Sequence, residues 1–369
     1  MTVLPQVLPL KMPLPKYKAH AKTRTPFFIK LFNWEYWSSS IVYAPMYVYW
    51  LYLCIRARNL FFFSASNPTI ENGGLLMERK SDIYNIMPSQ YYPKTLLVTE
   101  GLTIQEIREL IEKSNFSFPV IVKPDIGGKG RGVRKINNID DAVAYIDYSK
   151  FPMLVQALVS FKNEVGIFYY RLPWQQNGKI SGIVAKEFMT IVGDGKSTIE
   201  ELIKQNERYV LQLEALRKMN DINLLEIVAF KEERILVPFG NHARGSKFID
   251  ASFKITQLLE KNIDEICKQV PQFYYGRLDI MFNNWQELEQ GKNLSIIELN
   301  GAGSEPTHIY DTSHSIFFAW KEIIWHWKLL YRISVWNHKH LNIAYLPFKV
   351  GVKMFKEVRK VEKKLDGLL

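Results

Sequence analysis

FPVIVKPDIGGKGRGV, residues 118–133, is the stretch whose reading decides the fold. It opens on a β-branched run, Val120-Ile121-Val122, which reads as a buried strand. Lys123 stands at the strand's exit, and Pro124 leads into a loop holding Gly127, Gly128, Gly130 and Gly132. Glycines let backbone N–H groups turn towards an anion with no Cβ in the way, and Lys129 and Arg131 add positive charge to the same loop. A lysine at a strand end beside a flexible basic loop makes a cradle for a polyphosphate. A basic surface hairpin would have the same composition, so a second stretch has to separate the two readings.

That second stretch is YYGRLDIMFNN (residues 274–284) followed by LSIIELNGAGSEP (residues 294–306), two expected strands joined by a polar turn around 286–292. Asp279 follows Arg277 by two residues, so strand alternation puts both side chains on one face; Glu298 and Asn300 share a face by the same rule. Asp279, Glu298 and Asn300 suit a hard cation, and Mg²⁺ held between carboxylates and substrate phosphates is the usual partner of such a set. A solvated hairpin face is the plainer alternative. The flanking residues are apolar, however, and charge in such surroundings needs a partner.

VIVKPDIGGKGRGV, RLDI and IIELNGAG, in that order, resemble the ATP-grasp superfamily of carboxylate–amine ligases. D-alanine–D-alanine ligase and the cyanophycin and glutathione synthetase branches are nearest, over residues 75–312. The resemblance implies an α/β ATP-grasp fold, two α+β subdomains clasping ATP, with an abbreviated N-terminal α/β segment and helical aromatic, basic ends. The expected division is residues 1–58 as a basic aromatic segment, 59–100 as the pre-grasp segment, 101–312 as the ATP-grasp domain and 313–369 as a helical tail.

It also implies a site. Lys80, opening KSDIYNIMP, and Lys123 would reach the phosphates, with Gly127, Gly128 and Gly130 in a lid over them. Gln156, Ala157 and Leu158 match the hinge whose backbone meets adenine, and Glu164 matches the ribose-binding acid, since a carboxylate accepts from two hydroxyls. Lys186 is favoured over Arg171 as a further phosphate contact. Asp279, Glu298 and Asn300 would hold one or two Mg²⁺, with Mn²⁺ able to substitute. Arg277 would stabilise an acyl-phosphate and the tetrahedral intermediate, and with the phosphate-reaching Lys123 is counted among the catalytic residues. His242 and Arg244, in NHARGSKFIDAS, would meet a substrate carboxylate or the transferring phosphoryl group. The implied activity is ADP-forming: a carboxylate is activated as an acyl-phosphate and attacked by an amine, as in D-alanine–D-alanine ligase. That family's N-terminal motif for the first D-alanine is not visible, and its second-amino-acid contacts do not follow IIELNGAGSEP, so both substrates stay open.

VGDGKSTIEEL (residues 192–202) resembles an insertion of the cyanophycin and glutathione synthetase branch. It is no P-loop: the Walker pattern needs glycine where Thr190 stands, and Ser197 reads as a helix cap completed by Glu200. Residues 103–113 read as an amphipathic helix with a Thr103/Glu106 capping box and a core face of Ile104, Ile107, Leu110 and Ile111. Residues 140–148 and 255–269 are further helices, the second burying Leu258, Leu259, Ile263 and Ile266. Residues 59–66 and 152–160 read as strands, 164–173 and 179–189 as a hairpin, and 208–237 as helix-rich.

With 369 residues and 47% hydrophobic content, the chain can bury a sizeable core. Its two cysteines, Cys54 and Cys267, exclude a disulfide framework and fit a reducing, cytoplasmic setting. The net charge of +11 belongs to the ends: residues 1–60 carry eight Lys/Arg against one acid, 315–369 eleven against four, and the stretch between is net −3. Residues 1–26 are Pro- and Lys-rich, expected to hold little structure and not to be a signal peptide. The uncharged run 37–55 approaches the ~20 residues needed to cross a bilayer. Its Pro45, serines and tyrosines fit an interfacial element or packing against protein at least as well as a span. Trp320, Trp325 and Trp327, interleaved with Lys321, Lys328 and Arg332, and the basic stretch 347–365 suit an anionic lipid surface or packing of the two ends together. A membrane-surface ATP-binding module, or an ATP-grasp enzyme acting on a cell-envelope precursor at the inner face of the membrane, is therefore the alternative function. Nothing resembles a base-reading module, and no nucleic-acid partner is expected.

Overall fold

The computed structural model describes residues 25–128, 130–217, 222–237 and 245–368, and the chain divides into two units. The larger holds residues 34–187 and, among the described residues, 245–368. Its N-terminal run does not form one long helix. Pro45 lies in a 3-10 turn between α2 (Ser39–Tyr43) and α3 (Tyr47–Ala57). No helix of the described residues is long and apolar enough to cross a membrane.

Residues 59–66, expected as a strand, instead form a 3-10 turn at Phe62–Ala65. Phe61, Phe62, Phe63 and Ala65 are all buried, and consecutive buried side chains need cover on every side, which a two-faced strand in a half-solvated sheet does not offer. Trp50 packs on Phe62 at 4.9 Å between ring centroids. Cover also comes from α12 (Ile316–His340), whose Asn337 Nδ2 donates to the carbonyls of Ala65 and Ser66 at 2.8 and 3.2 Å. α4 (Lys80–Ile86) then precedes the first sheet.

That sheet has the antiparallel order β1-β4-β2-β3, from β1 (Thr95–Val98), β2 (Val120–Pro124), β3 (Arg134–Ile136) and β4 (Met153–Ala157). Val120 and Val122 alternate onto the face covered by α5 (Ile104–Lys113) and α6 (Ile139–Ser149), beside Ile107, Ile111 and Ile146. The Thr103/Glu106 capping box forms as expected. Ile104 does not join the core; it is exposed at the first turn.

The second sheet is also antiparallel, ordered β11-β10-β5-β6-β9, from β5 (Asn163–Tyr170), β6 (Lys179–Glu187), β9 (Lys247–Asp250), β10 (Tyr275–Phe282) and β11 (Leu294–Asn300). A short α11 (Trp285–Glu289) occupies the expected polar turn. Val165, Ile167, Leu278 and Ile280 pack with Leu259, Ile263 and Ile266 of α10 (Gln257–Lys268), whereas Leu258 is exposed. The alternate residues of the same strands face the other way, Phe168 and Tyr275 among them packing against α12. A last helix, α13 (Phe348–Asp366), closes the chain.

The smaller unit holds residues 25–33 and, among the described residues, 188–237. It contains α1 (Pro26–Phe32), α7 (Ile199–Lys204), α8 (Glu207–Val210) and α9 (Leu213–Arg217), with β7 (Met189–Val192) paired to β8 (Glu233–Val237). The 208–237 stretch is thus partly strand. Thr198, not Ser197, caps α7, in a capping box with Glu201. Ser197 is held by Asp194, whose carboxylate accepts from its N–H and hydroxyl, both at 2.7 Å.

Candidate functional site

Alternation along β2 turns Lys123 away from the core that takes Val120 and Val122. Its Nζ is buried and donates to Gln156 Oε1 at 2.9 Å, Tyr84 Oη at 3.1 Å and the Ile297 carbonyl at 3.1 Å. One ammonium thereby joins the first sheet, α4 and β11 of the second sheet. Gln156 is oriented by donating to Thr95 Oγ1 at 2.8 Å and Tyr84 Oη at 3.2 Å. Burial pulls the Lys123 ammonium down to about 8, although Glu298 and Asp125 favour its charge. The Tyr84 hydroxyl donates to the Ile297 carbonyl at 2.7 Å, and burial pushes its pKa up to about 12.

The glycine loop begins beside this lysine. Lys80 Nζ donates to the Gly127 carbonyl and lies 3.7 Å from Glu298. Its own position is set by Asp125, whose carbonyl accepts from Lys80 N–H at 3.0 Å while its carboxylate accepts from the Ser81 N–H and hydroxyl at 2.8 Å each. Gly127 adopts φ 119°, and a Cβ there would meet Leu365 of α13 at 2.6 Å. The same helix engages the loop through Arg131, 2.8 Å from Glu362 and 3.0 Å from Asp366. Arg131 is therefore occupied by carboxylates of the C-terminal helix. Gly128 has open space around it.

Cross-strand pairing builds the other half. Asp279 pairs with Glu298 and Arg277 with Asn300, so all four stand on one face of the β10–β11 hairpin. Arg277 donates from Nε and Nη2 to the two oxygens of Asp279 at 3.1 Å each, and from Nη1 to the Glu305 carbonyl at 3.3 Å. Lys186 sits between Asp279 Oδ1 at 3.3 Å and Glu164 Oε1 at 2.5 Å. The result is a buried chain of alternating charge, Glu164–Lys186–Asp279–Arg277. Gly166 makes room for it: a Cβ there would lie 3.1 Å from Asp279 Oδ1 and 3.2 Å from Arg277 Cδ. Burial works against the Asp279 carboxylate, but Arg277 and Lys186 outweigh it and hold the group below the usual carboxylate range. Burial likewise opposes the charges of Lys186 and Arg277, and their carboxylate partners raise both above their ordinary values.

The structure thus gathers Lys80, Lys123, Gly127, Gln156, Glu164, Lys186, Arg277, Asp279, Glu298 and Asn300 into adjoining clusters. Arg171 does not join them: it lies over the Tyr274 ring at 4.8 Å, on the side of Cys267 in α10. At the expected hinge, Ala157 N–H already donates to the Lys94 carbonyl at 2.9 Å, while Leu158 is exposed. Gly130 lies in the loop at φ 68°. Arg244, His242 and Lys129 lie outside the described residues.

Among the described residues, no three His, Cys, Asp or Glu side chains converge as a ready-made metal site. The donor set nevertheless fits a cation that takes one or two carboxylates and completes its shell with phosphate oxygens. Asp279 and Glu298 oppose each other, and beside them the buried Asn300 Nδ2 has no hydrogen-bond partner among the described residues, a donor that a phosphate oxygen would satisfy. Sequence reading missed Tyr84, Asp125 and Glu78. The last carries a partnerless buried Oε2, and burial raises its pKa, with Lys80 and Glu298 among the charges it feels. Tyr84 follows Lys80 by one helical turn, a spacing that could have flagged it.

Residues 91–215 match the model of the RimK-like ATP-grasp domain. No curated protein matches the chain. Solved structures similar to it include a bifunctional glutathione synthetase from Pasteurella multocida, with 15% identity, TM-score 0.38, and 71% of this chain and 37% of that one covered. D-alanine–D-alanine ligase from Bacillus anthracis is another, at 12% identity and TM-score 0.38, with 81% and 71% covered. VanG D-Ala:D-Ser ligase from Enterococcus faecalis is a third, at 14% and 0.38, with 71% and 64% covered. The chain spans little more than a third of the glutathione synthetase. The family match takes in β1 to β7, including the lysine-bearing strand and its glycine loop, and over that stretch the chain is similar to the RimK-like ATP-grasp domain.

Proposed function

We propose that this protein is an ATP- and Mg²⁺-dependent ligase that activates a carboxylate as an acyl-phosphate for attack by an amine, releasing ADP and phosphate. The observation that carries the reading is the meeting of Lys80, Lys123 and the glycine loop with Glu298, directly across the hairpin from Asp279. Cations and backbone N–H groups suit a triphosphate, and the carboxylates face where its β- and γ-oxygens would lie. Asp279, Glu298 and Asn300 would hold the Mg²⁺, or Mn²⁺ in its place, which would neutralise charge on the phosphate oxygens.

The protein's own residues supply the rest. Lys80 and Lys123 orient the phosphates under Gly127, Gly128 and Gly130. Gln156, Ala157 and Leu158 border the base, and Glu164 the ribose. Arg277, fixed by Asp279, presents a planar cation to the acyl-phosphate and to the oxyanion that follows amine attack. No covalent enzyme nucleophile is needed. The exposed apolar stripe of α3 favours a second reading of the same chemistry, a ligase acting on a cell-envelope precursor at a membrane surface.

Release of phosphate and ADP from MgATP, measured against a panel of amino acids, dipeptides and small carboxylates paired with amines, tests the proposal. One acid–amine pair should support turnover and yield the amide by mass spectrometry. Turnover that leaves the acid and amine uncoupled would overturn the ligase assignment.

Lys123 gives the site a pH signature. Its ammonium is lost from the free protein as pH rises through about 8, and an anion binds the charged form more tightly. The Kd for MgATP should therefore rise by about tenfold per unit above pH 8, until the ligand-bound pKa is reached. Titration calorimetry from pH 7 to pH 9.5 reads this directly; a flat profile would take Lys123 out of contact with phosphate.

A further inference from the structure

From Tyr47 to Ile55, α3 carries no charged residue on its buried or its exposed side. Leu53 and Cys54 are buried, while Val48, Leu51, Tyr52 and Ile55 are 74%, 55%, 49% and 75% exposed. The spacing i, i+3, i+4, i+7 makes those four one continuous stripe, where a surface helix ordinarily carries polar residues. The stripe runs into a cavity of about 320 Å³ walled by Cys54, Ile55, Leu60, Phe61 and Phe348, with the exposed Arg58 among its walls. Phe348 and Phe355 of α13 are themselves 61% and 42% exposed, each with its ring 6.2 Å from that of Phe61.

The charge around this face has one sign. Residues 36–70 contain no Asp or Glu, nor do 341–356. Arg56, Arg58, Lys349 and Lys353 are all exposed there. A partner must therefore offer a broad apolar layer behind a layer of negative charge. Aromatic and aliphatic side chains beside unopposed cations meet that arrangement at the boundary between lipid headgroups and acyl chains.

We propose that this face docks on an anionic lipid surface, with the α3 stripe and Phe348 seated in the headgroup–acyl boundary and the four cations against headgroup phosphates. The inference does not rest on the ligase reading, because vesicle binding requires neither ATP nor turnover.

Sedimentation of the full chain with vesicles tests it, comparing phosphatidylcholine alone with phosphatidylcholine carrying about a third phosphatidylglycerol. The protein should sediment with the anionic vesicles, less so at high salt. Arg56→Gln/Arg58→Gln should lower the partition constant by about fivefold per cation removed, and Leu51→Ser/Ile55→Ser by more than about tenfold. These side chains are exposed, so the melting temperature of both variants should stay at the wild-type value. Absence of sedimentation with anionic vesicles, or equal partition of wild type and both variants, would overturn the proposal. So would a concentration-dependent dimer that Leu51→Ser/Ile55→Ser dissolves without any vesicle binding, which would give the face to a second copy of the chain.

Discussion

Glu298→Gln is expected to lower ATP-dependent turnover by on the order of 10²–10³ while leaving the fold intact. Its side chain is 28% exposed, and its one ion pair, to Lys80 at 3.7 Å, is long. A half-buried pair at that length, with Lys80 also held by the Gly127 carbonyl, contributes on the order of 1 kcal/mol, so the melting temperature should move little. Asp279→Asn should lose as much activity for a different reason. Asp279 is 5% exposed and is the carboxylate shared by Arg277 and Lys186. Neutralising it removes the carboxylate that these two buried cations share, at a cost of about 3–5 kcal/mol. Thermal melts beside the kinetics separate the two: Glu298→Gln inactive and stable, Asp279→Asn inactive and destabilised. Equal stability of the two variants would contradict the buried charge chain.

Arg277→Met should reduce kcat by on the order of 10²–10³ with the KM for ATP changed by less than about threefold. The guanidinium is assigned to charge that develops after ATP is bound, so its removal acts on the transition state and not on the ground state. Arg277→Lys should not rescue it. An ammonium cannot reproduce the two parallel hydrogen bonds to Asp279 that aim the guanidinium. A variant with unchanged kcat and a raised KM would move Arg277 from acyl-phosphate stabilisation to ATP binding.

Much of this arrangement was legible in the chain because it depends on local rules. Strand alternation set Arg277 beside Asp279 and Glu298 beside Asn300, and the β-branched run put Lys123 at the end of a buried strand. The capping box at Thr103 is likewise a short-range pattern. Contacts between elements distant in sequence were not legible. Lys123 reaches Tyr84 of α4 and the carbonyl of Ile297, and only the folded chain brings those three together. Arg131 looked like a phosphate contact on composition, yet Glu362 and Asp366 arrive from the far end of the chain to hold it. Asn59 to Ser66 read as a strand because a buried apolar run has no period of its own; burial on all sides, under α12, made it a 3-10 turn. Arg171 and Lys186 lie on strands that pair with each other or at their end, and only the twist and register of that hairpin decided which one meets Asp279.

Titration of the full chain with MgATP at pH 7 tests the central claim most directly. One equivalent should bind, and Lys123→Met should weaken that binding by at least about tenfold, since it removes a charged donor from the proposed phosphate site. No measurable binding of MgATP by the wild-type protein, or binding that Lys123→Met leaves unchanged, would contradict the account.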